Sequence, residues 1–133
     1  MREIKFRGWH VPKQVMFSAE EMAIDQLTLL PTGCFINVSC TSTKLSQIIP
    51  QDKFIPLQYT GLKDKNGVEI YEGDILAQES FISWVIVWAK CGFYAYNLHN
   101  SSTIYPLESA TNREVIGNIY EHPELITSIK EEI

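Results

Sequence analysis

The chain has 133 residues, a formal net charge of −5, and 45% hydrophobic and 11% aromatic residues, proportions that suit one domain with a sizeable core or two small lobes and exclude a largely disordered chain. The charge is uneven. Six basic residues face five acidic ones up to residue 53, and five face eleven beyond it, net +1 and −6, so the C-terminal portion repels a phosphate backbone and non-specific nucleic-acid binding is disfavoured.

The opening reads as strand, turn, strand. Ile4, Phe6 and Gly8 alternate with Glu3, Lys5 and Arg7, which gives one apolar and one charged face. A turn from His10 to Gln14 contains Pro12, and Val15-Met16-Phe17 returns as the partner strand. Ser18 has the chemistry of a helix N-cap, with Glu20 and Glu21 in the first turn where the helix dipole favours carboxylates. Met22, Ile24 and Leu27 carry helical spacing towards Leu29, while a strand from Gln26 to Leu30 is the competing reading; Pro31-Thr32-Gly33 ends either. Cys34 to Val38 is strand-like, Ser39 to Ser46 is a loop or ragged edge, and Ile48-Ile49-Pro50 with Pro56 marks a transition. The expected division is a β-rich lobe over 1–53 and a second portion over 54–133.

The second portion is organised around Leu57 to Ala77. Gly61, Gly67 and Gly73 recur at six-residue spacing between segments rich in β-branched and aromatic residues, the punctuation of strands joined by tight turns. In Asp64-Lys65-Asn66-Gly67 the Asp carboxylate can accept from backbone amides two residues on, and Asn66-Gly67 tolerates the positive φ that a hairpin reversal requires. Val68 to Tyr71 follows as a strand, and Glu72-Gly73-Asp74 re-aims the chain, with Asp74 placed to accept from amides at the bend. The structural-turn residues are therefore Asp64, Asn66, Gly67, Gly73 and Asp74. A second hairpin joins Phe81–Trp88 to Phe93–Leu98. Both faces of its first strand are apolar, with Ile82, Trp84, Ile86 and Trp88 on one side and Phe81, Val85 and Val87 on the other, so both need cover. The N-terminal lobe or a terminal helix is expected to provide it first, and self-association into a homo-oligomer second. Ile104 to Leu107 is a short extended piece, Ser109 to Asn112 a turn, and Val115 to Tyr120 a strand. Pro123 opens a C-terminal helix in which Leu125, Ile126, Ile129 and Ile133 fall on one side.

Reversals every eight to twelve residues with no intervening helix fit a barrel or sandwich. The expected class is mainly β (α+β): an N-terminal β-rich lobe, a small SH3-like barrel over 54–133, and a C-terminal helix.

Three blocks resemble the YopX-like family of phage and prophage proteins. They are Met1 to Trp9; Gln58 to Gly67, running on to Ile70-Tyr71-Glu72-Gly73-Asp74-Ile75; and Glu114 to Leu125. They fall in the family's order and span the chain, whereas Ser18 to Lys53 and Ser101 to Asn112 carry no resemblance. The likeness implies a small phage accessory protein in a bacterial host and carries over no catalytic residue.

Chemistry-bearing residues are mostly explained without function. Asp64, Glu69, Glu72 and Asp74 could bind a hard cation, but calcium needs six to eight converging oxygens, and turn roles account for Asp64 and Asp74 while Glu69 and Glu72 read as solvated. Cys34, Cys40, Cys91, His10, His99 and His122 lack the paired spacing of structural zinc; His122 before Pro123 serves the helix start. An odd number of cysteines behind a charged N-terminus points to a reducing cytoplasm, and no apolar run approaches the roughly 18 residues of a membrane span. No nucleophile elbow or phosphate loop is present. Tyr59, Tyr71, Trp84, Trp88, Tyr94 and Tyr96 could stack bases, yet only Lys63, Lys65, Lys90, Arg113 and Lys130 accompany them, so core packing accounts for them better. The expectation is a non-enzyme without metal or cofactor that binds a protein, a host factor among the candidates; a nucleic-acid-associated module using Arg2, Lys5, Arg7 and Trp9 is the alternative.

Overall fold

The computed structural model describes residues 3–38, 48–78, 82–89, 92–97 and 104–125. The chain divides into two compact units, Ile4–Gln58 and Tyr59–Ile133 with Met1–Glu3. The division falls inside one strand, β6 (Phe54–Lys63).

In the first unit, β1 (Phe6–His10) pairs antiparallel with β2 (Val15–Phe17) on one side and with the first half of β6 on the other. The reversal between β1 and β2 passes through Gln14 at φ +54°, and the Gln14 side chain donates to the Val11 carbonyl at 2.7 Å. Ser18 is the expected N-cap: its Oγ accepts from the Glu21 amide at 3.1 Å while the Glu21 carboxylate accepts from the Ser18 amide at 3.3 Å, a reciprocal capping box. Both competing readings of the next segment hold in part. Helix α1 covers Ala19–Ile24, Gln26 then takes φ +58°, and β3 (Leu27–Leu29) follows. A six-residue helix has no stability of its own; Met22 anchors it, 5% exposed in a core with Phe35 and Phe54, flanked by Phe17, Leu27, Leu29 and Ile49. β3 pairs with β4 (Phe35–Asn37), which pairs with β5 (Ile48–Ile49).

The single apolar face expected for the opening strand is corrected. Ile4 precedes β1 and is 65% exposed, while the successive residues Gly8 and Trp9, which point to opposite faces, are both buried, so β1 is covered on both faces. Gly8 is the close approach in this core, where an added Cβ would lie 2.9 Å from Phe54 Cδ1 and 3.1 Å from Met22 Sδ.

The second unit holds the end of β6, β7 (Glu69–Tyr71), β8 (Asp74–Gln78), β9 (Ile82–Ala89), β10 (Gly92–Asn97), β11 (Ile104–Pro106), a 3₁₀ turn Leu107–Asn112 and β12 (Glu114–Asn118). The last five strands form one open antiparallel sheet in the order β11-β10-β9-β8-β12. Curling devices are local: Gly61 at φ +91° where the β6–β7 register shifts, and a second shift between Val115 and Gly117. The expected second hairpin is β9–β10, with Phe93 opposite Trp88. The start of the expected C-terminal helix is visible at residues 123–125, and the rest lies outside the described residues.

Register sorts the faces. Leu76, Trp84 and Val115 share one row, Ile86, Ala95 and Tyr105 another, and with Ile70 they make the unit's core. The opposite side of the sheet is covered too, since Ile75 is fully buried and its partner Val85 is 6% exposed. The mid-strand stretch of β9 is therefore enclosed on both faces, as its apolar pattern requires. Trp88 is the correction: at the strand's end it stays 56% exposed, in edge contact with Phe93 at 4.9 Å. Among the described residues no helix is long and apolar enough to cross a membrane.

Candidate functional site

The β6–β7 turn is built by Asp64. Its Oδ1 accepts from the amides of Asn66 at 2.8 Å and Val68 at 2.9 Å, while Gly67 closes the reversal at φ +83° and donates to the Asp64 carbonyl at 3.1 Å. The second oxygen reaches across the chain. Asp64 Oδ2 accepts from the Val115 amide at 2.9 Å, and the Lys65 amide donates to the Arg113 carbonyl at 3.0 Å, so the turn holds the backbone on both sides of residue 114. Burial pushes the Asp64 carboxyl up, but the three backbone donors and the nearby Lys65 outweigh it and hold the group below its ordinary value.

Asp74 is almost wholly buried, and its Oδ2 accepts from the Tyr71 amide at 2.8 Å. Gly73, at φ +88°, donates to Ile86 O at 2.8 Å and accepts from the Ile119 amide at 3.0 Å, with Tyr120 close to where a Cβ would stand. Glu69 and Glu72 are half-buried, a correction to the solvated placement. Among the described residues no three His, Cys, Asp or Glu side chains converge as a metal site. Cys34 is a half-buried free thiol; Cys40, Cys91 and His99 lie outside the described residues. His10 packs against Phe17 and Phe54 at 6.2 and 5.3 Å and accepts from the Lys13 amide. His122 Nδ1 accepts from the Asn118 amide at 3.2 Å, bracing the turn before the helix start.

The aromatics divide between core and surface. Tyr59 and Tyr71 are buried together with ring centres 5.5 Å apart, Trp84 is 4% exposed, and Tyr94 and Tyr96 are half-buried. One charged group joins them. Arg113 is only 7% exposed and lays its guanidinium on the Trp84 ring, 3.4 Å from the centroid, while Tyr105 stacks on the same indole at 4.6 Å. A cation on a desolvated indole gains about 2 kcal/mol, whereas withdrawing an ion from water costs several. The balance is unfavourable as it stands, because Arg113 Nε, Arg113 Nη1 and Trp84 Nε1 are buried donors without acceptors among the described residues. Burial lowers the guanidinium from its ordinary value, with Tyr105 opposing the change, yet arginine stays charged at physiological pH.

A family model described as YopX protein matches residues 5–127. The chain belongs to the YopX family. The solved structures similar to this YopX-family chain include the following two. One is protein EF1440 from Enterococcus faecalis, with 24% identity, TM-score 0.63 and coverage of 95% of this chain and 99% of that one. The other is protein yopX from Bacillus subtilis, with 15% identity, TM-score 0.59 and coverage of 95% and 97%. At these identities the likeness concerns the fold. No curated protein matches the chain.

The structure brings Asp64 and Gly67 together in one turn and Gly73 and Asp74 in another. Sequence reasoning missed Arg113, counting it only as one of a few bases. No local signal marked it, because Arg113 sits in the bend just before β12 and only the fold brings it onto Trp84.

Proposed function

We propose that this YopX-family chain is a non-catalytic phage or prophage accessory protein that acts in the bacterial cytoplasm by binding a protein, such as a host factor. Trp88 carries the reading: an indole 56% exposed beside Phe93 at the end of β9 is an amphipathic anchor of the kind that dominates protein interfaces. The carboxylates support it as well, since Asp64 and Asp74 spend their oxygens on backbone amides and so serve the turns. As finer parts of the same proposal, residues 54–133 complete an SH3-like barrel, for which Gly61 and the Val115/Gly117 shift supply curvature, and the amphipathic C-terminal segment docks on it.

The test is capture on the immobilised protein from infected-cell lysate, with and without nuclease. A nuclease-resistant protein, lost with Trp88→Glu while the thermal melt is unchanged, is expected. Capture abolished by nuclease would instead favour the nucleic-acid-associated module.

A further inference from the structure

The second unit buries a positive charge, Arg113, whose Nε and Nη1 have no acceptor among the described residues. Arg113 rests on Trp84, and the three donors Nε, Nη1 and the indole N–H lie within that one stacked pair. Asp64, the acid that the β6–β7 turn brings to the start of β12 beside Arg113, is occupied by the amides of Asn66, Val68 and Val115. The same turn fixes the base of the arginine, through the Arg113 carbonyl and the Val115 amide, so the guanidinium is held in place before any ligand arrives. A buried charge and unpaired donors of this kind are matched by an oxyanion, because charge-assisted hydrogen bonds to a guanidinium satisfy both at once.

Charge selects the oxyanion. One guanidinium neutralises one negative charge; a phosphate dianion would leave a net negative charge out of water, in a portion of the chain that already carries five basic against eleven acidic residues. The three donors are themselves shielded from solvent, which favours a compact carboxylate such as acetate or the end of an Asp or Glu side chain. We propose that Arg113 and the Trp84 indole N–H form a receptor for a carboxylate monoanion, delivered either by a small free acid or by an acidic side chain of a peptide. The proposal is independent of the Trp88 docking surface, and acetate alone tests it.

The experiment follows the arginine Nε–H and indole N–H resonances of the ¹⁵N-labelled full chain by NMR. The probes are sodium acetate, sodium chloride and sodium phosphate at matched ionic strength, and an N-acetylated, C-amidated Ala-Glu-Ala peptide. Acetate should move the Arg113 Nε–H and Trp84 Nε1–H signals along a saturable curve, with phosphate at least tenfold weaker and chloride giving only a small linear drift. In Arg113→Lys, which keeps the charge but loses the planar fork, the Trp84 response to acetate should weaken at least tenfold. Peptide binding tighter than acetate assigns the carboxylate to a protein source, and the reverse assigns it to a free acid; either supports the receptor. Acetate shifts no larger than those of chloride, or phosphate binding tighter than acetate, would overturn the proposal in the wild type alone, whether or not the lysine variant folds.

Discussion

Asp64→Asn isolates the contact that ties the β6–β7 turn to β12. The amide oxygen of asparagine can still accept from Asn66 and Val68, as Oδ1 does at 2.8 and 2.9 Å, but its NH₂ group would face the Val115 amide where Oδ2 now accepts at 2.9 Å. A hydrogen bond to a charged group contributes about 1.5–3 kcal/mol and a buried amide left unpaired costs about 1–3, so roughly 2–4 kcal/mol should be lost at pH 7. The pH dependence has a definite sign. The Asp64 carboxyl titrates lower in the folded chain than in the unfolded one, where the ordinary value is about 3.9. Its contribution is therefore fully present above about pH 4 and is lost as pH falls through the depressed folded value. Urea unfolding of both proteins at several pH values between 7 and 2 should show the gap narrowing only at the acid end. Hydrogen exchange supplies a local check, since the Val115 amide should lose protection in the variant even if the two units unfold separately. A loss under about 0.5 kcal/mol at pH 7, or a gap that persists unchanged at pH 2, would refute the reasoning.

Gly67→Val should lower stability by about 1–2 kcal/mol, because no atom stands within 4 Å of an added Cβ and the left-handed backbone at φ +83° is the whole penalty; Gly67→Asn should recover part of it, and thermal melts compare the two. Gly8→Ala should cost more than its single methyl suggests, about 1–3 kcal/mol by chemical denaturation, because the new Cβ meets the Phe54 ring and Met22. For the acidic turns, elemental analysis of the purified protein should find no stoichiometric divalent cation, and Glu72→Gln with Asp74→Asn should leave that content unchanged; metal present in the wild type and lost in the variant would show that these carboxylates bind it.

What the sequence by itself determined was local. The capping box at Ser18, the reversal at Asp64 to Gly67 and the bend at Gly73 are written in residues a few positions apart, because short-range hydrogen bonds and positive φ depend on neighbours alone. The apolar two-sided pattern of β9 likewise announced an enclosed strand. The tertiary structure decided the rest. Whether α1 stopped at Ile24 depended on where Met22 found a core, and Ile4 stays exposed ahead of the paired strand β1. Asp64 accepts from an amide 51 residues away, and Arg113 lies on an indole of another strand. Such pairings follow from sheet order and register, which no short stretch of sequence encodes, and it is through them that an ordinary turn acid and an ordinary base became buried charges with different fates: one saturated by backbone amides, the other still holding unpaired donors.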